Sequence, residues 1–188
     1  MFAPSDDPRR VLGVDPGLTR CGYAVLEGGP GGRARAVSLG TLRTSPTDPV
    51  ATRLAGLMAD LGELLAEHRP AVVAVEQLFF QVNVRTAMSV GQASGVILAL
   101  SAAHGCEVVQ YTPNQVKQVV AGWGGADKSQ IQKMVQVRLG LSAPPRPADA
   151  ADAAAIALCH LATATMQSRL IEAGAPTVLG RVSKAGHR

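Results

Sequence analysis

Residues 10–42 read RVLGVDPGLTRCGYAVLEGGPGGRARAVSLGTL, and this stretch decides the fold. Arg10 to Val14 is a short apolar run that stops at Asp15-Pro16-Gly17, a turn signal. Cys21 to Leu26 is a second strand, and Gly28 to Gly32 is a flexible hairpin connection. Ala34 to Leu42 is a third strand. Three strands in succession joined by short turns predict an antiparallel meander.

Beyond residue 45 the period changes. From Pro46 to Arg69 the apolar residues Leu54, Leu57, Met58, Leu61, Leu64 and Leu65 fall on one helical stripe. Ala71 to Val75 is apolar throughout, as a strand covered on both faces is, which implies a parallel neighbour. Asn83 to His104 reads as a helix whose one formal charge is Arg85, and its Gly91 and Gly95 allow another backbone close, from this chain or a second subunit. Cys106 to Tyr111 is a fifth strand. Thr112, Pro113 and Gln115 form a helix start with a capping box, and Asp127 with Gln130 forms another after the Gly122–Gly125 break. The second of these helices carries Ile131, Met134, Val135 and Leu139 on its apolar side. An Ala-rich helix follows Pro147, from about Ala148 to Met166. The order β-β-β-α-β-α-β-α-α-α predicts an α/β domain with a mixed five-stranded sheet, three strands antiparallel then two parallel, and helices on both faces. Residues 1–9 read as a flexible arm, 10–168 as the domain, and 169–188 as a basic, partly disordered tail.

Composition narrows the function. The 188 residues are 47% hydrophobic and 17% charged, which excludes wholesale disorder. Three cysteines, Cys21, Cys106 and Cys159, without close pairing exclude a disulfide scaffold or zinc ribbon and read as buried free thiols. The N-terminus has no apolar signal region, and the long uncharged helix is interrupted by Ser, Gln, Gly and His, so a cytoplasmic location without a membrane span is expected. A net charge of +4 leans towards a polyanionic partner.

Four acids stand out from the rest. Asp15 and Glu76 each end an apolar strand, and Asp149 and Asp152 interrupt the nearly uncharged Ala-rich helix on one face. Ionised groups beside apolar runs are unfavourable unless paired or metal-bound. In open α/β sheets, sites form beyond the carboxyl ends of strands. Neighbouring strands would set Asp15 beside Glu76, and the helix face could complete a ring of four. Oxygen donors without His or Cys suit Mg2+ or Mn2+. Two such ions would activate a water and stabilise the leaving oxygen of a phosphodiester. Each acid also has a plainer reading: Asp15 as a turn residue, Glu76 as a strand-end surface acid, Asp149 as an N-cap, Asp152 as a first-turn acid. Setting the four aside leaves ten acids against 18 bases, a basic surface around an acidic pocket.

Val11 to Val25, Ala74 to Phe79, Gly91 to Val96, Pro113 to Gln118, Gly122 to Gln130 and Ala148 to Ala157 together resemble, in order, the motifs of RuvC-type Holliday-junction resolvases. That resemblance implies an RNase H-like fold, a homodimer, and divalent-metal endonuclease activity on four-way DNA junctions in recombination and repair. It implies Asp15, Glu76, Asp149 and Asp152 as the metal-binding catalytic carboxylates, with Mg2+ or Mn2+ and two ions per site. By the same resemblance Phe79 matches the aromatic that inserts at the junction centre, Lys117 and Lys128 match backbone-contacting lysines, and a branch-migration motor complex is a possible partner. Ser94 stands where some members carry Arg, and the N-terminal arm is longer than usual.

The residues support the same roles on their own terms. Lys117 and Lys128 flank the Gly122–Gly125 break, and Lys128 sits in a helix's first turn, where a cation can join backbone N–H groups on a phosphate. Phe79-Phe80 follows an apolar strand; Phe79 is the ring expected to be exposed, as a wedge between bases, and Phe80 the core ring. Arg85 is a further phosphate contact or a solvated helix residue. His68, His104, His160 and His187 lack partner spacing and are given no role. Rival readings are a module that binds branched DNA without cutting, a nuclease acting on structured RNA, and a sugar-kinase-like ATPase. The last needs two such domains, more than this length holds.

Overall fold

The computed structural model describes residues 10–77 and 84–172. Its five strands are β1 (Arg10–Asp15), β2 (Arg20–Gly28), β3 (Ala34–Arg43), β4 (Val72–Glu76) and β5 (Glu107–Tyr111). The helices are α1 (Val50–His68), α2 (Val84–Ala103), α3 (Pro113–Ala121), α4 (Lys128–Leu139) and α5 (Ala148–Glu172). The sheet order is β3-β2-β1-β4-β5, with β1–β2 and β2–β3 antiparallel and β1–β4 and β4–β5 parallel. The expected mixed sheet is therefore present, with β1 at its centre.

Period-two alternation sorts β1 and β4 onto two cores. Leu12, Val14, Val73 and Val75 pack with Leu57, Leu61 and Leu65 of α1 and Ala93 and Ile97 of α2. Val11, Val72 and Ala74 pack with α3, α4 and the alanines of α5. Both faces of the central strands are buried, as their unbroken apolar sequence requires. The second face is built from small residues, so α5 lies unusually close to the sheet. A methyl on Gly13 would meet the Ala153 carbonyl oxygen at 2.2 Å and the Ala157 Cβ at 2.9 Å. Only a residue without Cβ lets these backbones meet.

The helix starts follow their local chemistry. Thr112 and Asp127 each cap a helix through a complete capping box, with Gln115 and Gln130 returning the second bond. Several expectations need correction. α1 begins at Val50 rather than Pro46, because Pro49 occupies its N-cap. Met58 is 49% exposed: α1 buries Leu57, Leu61, Leu65 and His68, a stripe stepping by three and four that leaves Met58 a residue to one side. Gly95 is exposed and a methyl there would touch nothing within 4 Å among the described residues, so no described backbone uses the gap. α5 continues to Glu172. All three cysteines are free thiols, Cys21 and Cys159 buried.

Candidate active site

Alternation carries the site's geometry. Asp15 follows Val11 and Gly13 on the α5 side of β1, and Glu76 follows Val72 and Ala74 on the same side of β4. The two strands are parallel neighbours paired as far as Val14 with Val75, so Asp15 and Glu76 stand side by side one step further on. The spacing between such strands is about 4.8 Å. α5 enters over this edge. A methyl on Gly22 would lie 2.1 Å from the Asp149 carbonyl oxygen, so the first turn of α5 rests on β2 directly. The Asp149 N-cap reading is excluded, because α5 already begins at Ala148. Asp149 and Asp152 are 18% and 26% exposed along their side chains.

Asp15, Glu76 and Asp152 line a cavity of about 280 Å3 together with Lys117, Lys128, Pro113 and Ile131. Burial and then the charges of Glu76, Asp152 and Asp149 push the Asp15 carboxyl up to about 7, against a partial offset from Lys128. Burial, and after it Asp152, also raises Glu76, while Lys128 and Lys117 pull it back. The chain thus gathers like charges in a half-dry pocket, an arrangement that opposes folding by itself. Two bases pair directly with these acids. Lys128 Nζ donates to Asp152 Oδ2 at 2.7 Å, and this bond is the main reason its ammonium is held more firmly charged. Arg20 Nε lies 3.3 Å from Asp149 Oδ2, close enough for attraction but not aligned as a hydrogen bond, since that buried oxygen has no donor.

Among the described residues, no three His, Cys, Asp or Glu side chains are drawn together tightly enough to hold an ion as they stand. Asp152 is paired with Lys128, and Arg20 lies beside Asp149. The donor set still fits a hard divalent cation. It is all carboxylate oxygen, it carries an unbonded buried oxygen at Asp149, and its charges repel one another. Cys21 lies near enough to feel Asp15 and Asp149, but burial pushes its thiol up to about 12, so it offers no thiolate.

The remaining expected residues divide. Lys117 and Lys128 both line the cavity. Phe79 and Phe80 lie outside the described residues. Arg85 belongs to the first turn of α2, and its side chain is outside the described set. Ser94 is buried, at 5% exposed. Sequence reasoning missed two contacts. Arg20 was read only as part of a motif, although its place at the start of β2, two residues before the Gly22 that pairs with Asp15, sets it beside α5. His160 was given no role, yet its Nδ1 lies 3.0 Å from the Tyr111 hydroxyl, with the two rings edge-on at 6.0 Å. That contact ties α5 to the end of β5, next to Glu76, which is the register partner of Tyr111.

Comparison with known proteins gives one consistent result. The family model for crossover junction endodeoxyribonuclease RuvC matches residues 11–160. A crossover junction endodeoxyribonuclease RuvC from Salinispora arenicola is 52% identical over 164 residues, covering 87% of this chain and 94% of that protein. The Thermus thermophilus RuvC structure superposes with a TM-score of 0.79 at 40% identity, covering 84% of this chain and 96% of that one. The T. thermophilus RuvC solved in complex with a Holliday junction substrate gives 0.77 at 38% identity, with the same coverage.

Proposed function

This chain belongs to the RuvC family of crossover junction endodeoxyribonucleases, and from that premise we propose that its carboxylate cavity resolves four-way DNA junctions by metal-dependent hydrolysis. The observation that carries the proposal is the shared face of Asp15 and Glu76 on adjacent parallel strands, with α5 bringing Asp152 and Asp149 over them. Nothing in packing asks for four acids there; phosphodiester chemistry does.

In this reading Asp15, Glu76, Asp149 and Asp152 hold Mg2+ or Mn2+, two ions per site. Bound ions of this kind supply Lewis-acid stabilisation of the phosphate and lower the pKa of an attacking water. The chain's own residues do the rest. Asp15 and Glu76, fixed by strand backbone, give the site a rigid floor. The Gly13 and Gly22 contacts set the height of Asp149 and Asp152 above it. Lys117 and Lys128 hold the phosphate backbone of the strand that enters, and Lys128 releases Asp152 as it turns to that phosphate. Apolar Ile131, Val116 and Ile156 wall the cavity and limit water around the reacting group. Hydrolysis leaves a 5′-phosphate and a 3′-hydroxyl. Phe79 serves as a wedge at the junction centre and Arg85 as a further phosphate contact. A homodimer would present two identical sites to a two-fold junction and nick both strands symmetrically. A branch-migration motor is a further partner in this reading. Among the described residues no helix is long and apolar enough to cross a membrane.

Mapping nicks on a synthetic four-way junction, with and without Mg2+, tests the proposal. Paired, symmetric nicks that need the metal are expected. Tight binding without cleavage in Mg2+ or Mn2+ would instead favour a binding module, and faster cleavage of structured RNA an RNA nuclease.

A further inference from the structure

The segment between α3 and α4 does more than join two helices. α3 ends with Gly122 in the left-handed region at φ 87°, its N–H bonded to the Gln118 carbonyl. The chain then doubles back, so that a methyl on Gly124 would lie 3.7 Å from Asn114 Oδ1. Asn114 adjoins Pro113, which lines the carboxylate cavity, and the segment ends at Lys128, which lines it too. The Gly122–Gly125 loop therefore joins two helices that both line the cavity.

Trp123 sits on that loop, 55% exposed. Its ring is not loose. A Cβ on Gly125 would fall 2.3 Å from Trp123 Cζ3 and 2.8 Å from Cε3, so the indole lies against the Gly125 backbone, and glycine is needed there to make room. One part of the indole is thus supported by backbone and much of the remainder meets water. The other aromatic residues of the described set are more sheltered: Tyr111 is buried and Tyr23 half-buried.

We propose that Trp123 is a stacking platform for an unpaired nucleobase of the DNA strand whose phosphates Lys117 and Lys128 hold. This rests on the reading of the cavity as a DNA cleavage site. Lysines along a backbone path with a flat aromatic beside them are the combination that single-strand binding surfaces use. The ring accepts any base face and contributes affinity without sequence selectivity. Branch points are where bases leave the stack, so the platform favours a branched substrate over a paired one.

The chain has a single tryptophan, so its own emission reports the contact. The wild-type chain is titrated in metal-free buffer with a four-way junction, and binding is followed in parallel by anisotropy of a labelled junction. Emission is expected to fall as the junction binds and to fall much less with a fully paired duplex. Trp123→Ala is expected to bind the junction about tenfold more weakly, which is 1.4 kcal/mol, and Trp123→Phe to keep most of the affinity. Unchanged emission at saturation, together with wild-type affinity in Trp123→Ala, overturns the platform while leaving the cleavage reading intact. Equal quenching by paired duplex overturns the claim that a base is stacked. A wild-type chain that neither binds nor, with Mg2+, cuts the junction overturns the cleavage reading, and the platform falls with it.

Discussion

The backbone of Gly22 lies directly beneath the carbonyl of Asp149: a methyl at Gly22 would stand 2.1 Å from that oxygen and 2.6 Å from its carbon. The height of an acidic side chain above the sheet is thus set by a missing side chain on another element.

Gly22→Ala and Gly13→Ala both push α5 away from the sheet, against rigid backbone at each site. Overpacking of this kind destabilises by about 1–3 kcal/mol, and more where nothing can move. Urea unfolding midpoints measure it. Gly22→Ala is expected to lose junction cleavage out of proportion to its loss of stability, because it displaces Asp149 itself. Gly95→Ala, where nothing lies within 4 Å, is expected to leave the monomer's unfolding midpoint unchanged or raised.

The metal-free chain should become less stable as pH rises. Asp15 ionises near its ordinary 3.8 when unfolded and only near about 7 when folded, chiefly because it is buried. Unfolding therefore releases a proton between those values. The stabilisation from this group is complete below the lower value, declines through the interval, and is gone above the upper one. Glu76, also raised, acts in the same direction. In EDTA, the unfolding free energy is expected to fall between about pH 5 and about pH 8 by on the order of a few kcal/mol. Asp15→Asn, which cannot ionise, should flatten that slope and be the more stable protein at the higher pH. A wild-type slope that Asp15→Asn leaves unaltered would contradict the assignment.

In the proposed reading, Lys128 and a metal ion compete for Asp152. With the ammonium 2.7 Å from Asp152 Oδ2, removing it frees a carboxylate oxygen and takes away a positive charge. Lys128→Met is expected to bind Mn2+ more tightly by calorimetry, yet to bind junction DNA more weakly and with a salt slope smaller by about one. Equal Mn2+ affinity in the two proteins would show that the pairing does not restrain the site.

Tyr111→Phe removes the hydroxyl that meets His160 Nδ1. The loss is expected to be about 1 kcal/mol in urea unfolding. Burial already holds the His160 ring neutral at lower pH than usual, so the loss should be the same at about pH 7 and about pH 8.

The legible parts of this sequence were those governed by local rules. The capping boxes at Thr112 and Asp127 formed because both partners of each bond lie within three residues. The two-sided strand at 72–76 was readable from its unbroken apolar run. Asp15 and Glu76 were readable as strand-end acids because period two and parallel pairing leave little freedom in where they go. What escaped depends on distant chain. Met58 fits the helical stripe, but only the placing of α1 against β1 and α2 decides that Leu57, Leu61 and Leu65 turn inward. His160 acquires its partner from a residue 49 positions away. Arg20 meets Asp149 only once α5 has crossed β2. The glycines looked alike in sequence, yet Gly13 and Gly22 are pressed against backbone while Gly95 meets none of the described residues.

The central claim is that the four carboxylates perform the cleavage. Its most direct test is the single-turnover rate of Asp15→Asn on a synthetic four-way junction with Mg2+, with junction affinity measured alongside. The account predicts a rate lower by at least about a hundredfold, beyond what loss of an outer-sphere partner produces, with affinity retained or increased as a negative charge leaves the cavity. An Asp15→Asn chain that cuts the junction at the wild-type rate would contradict it.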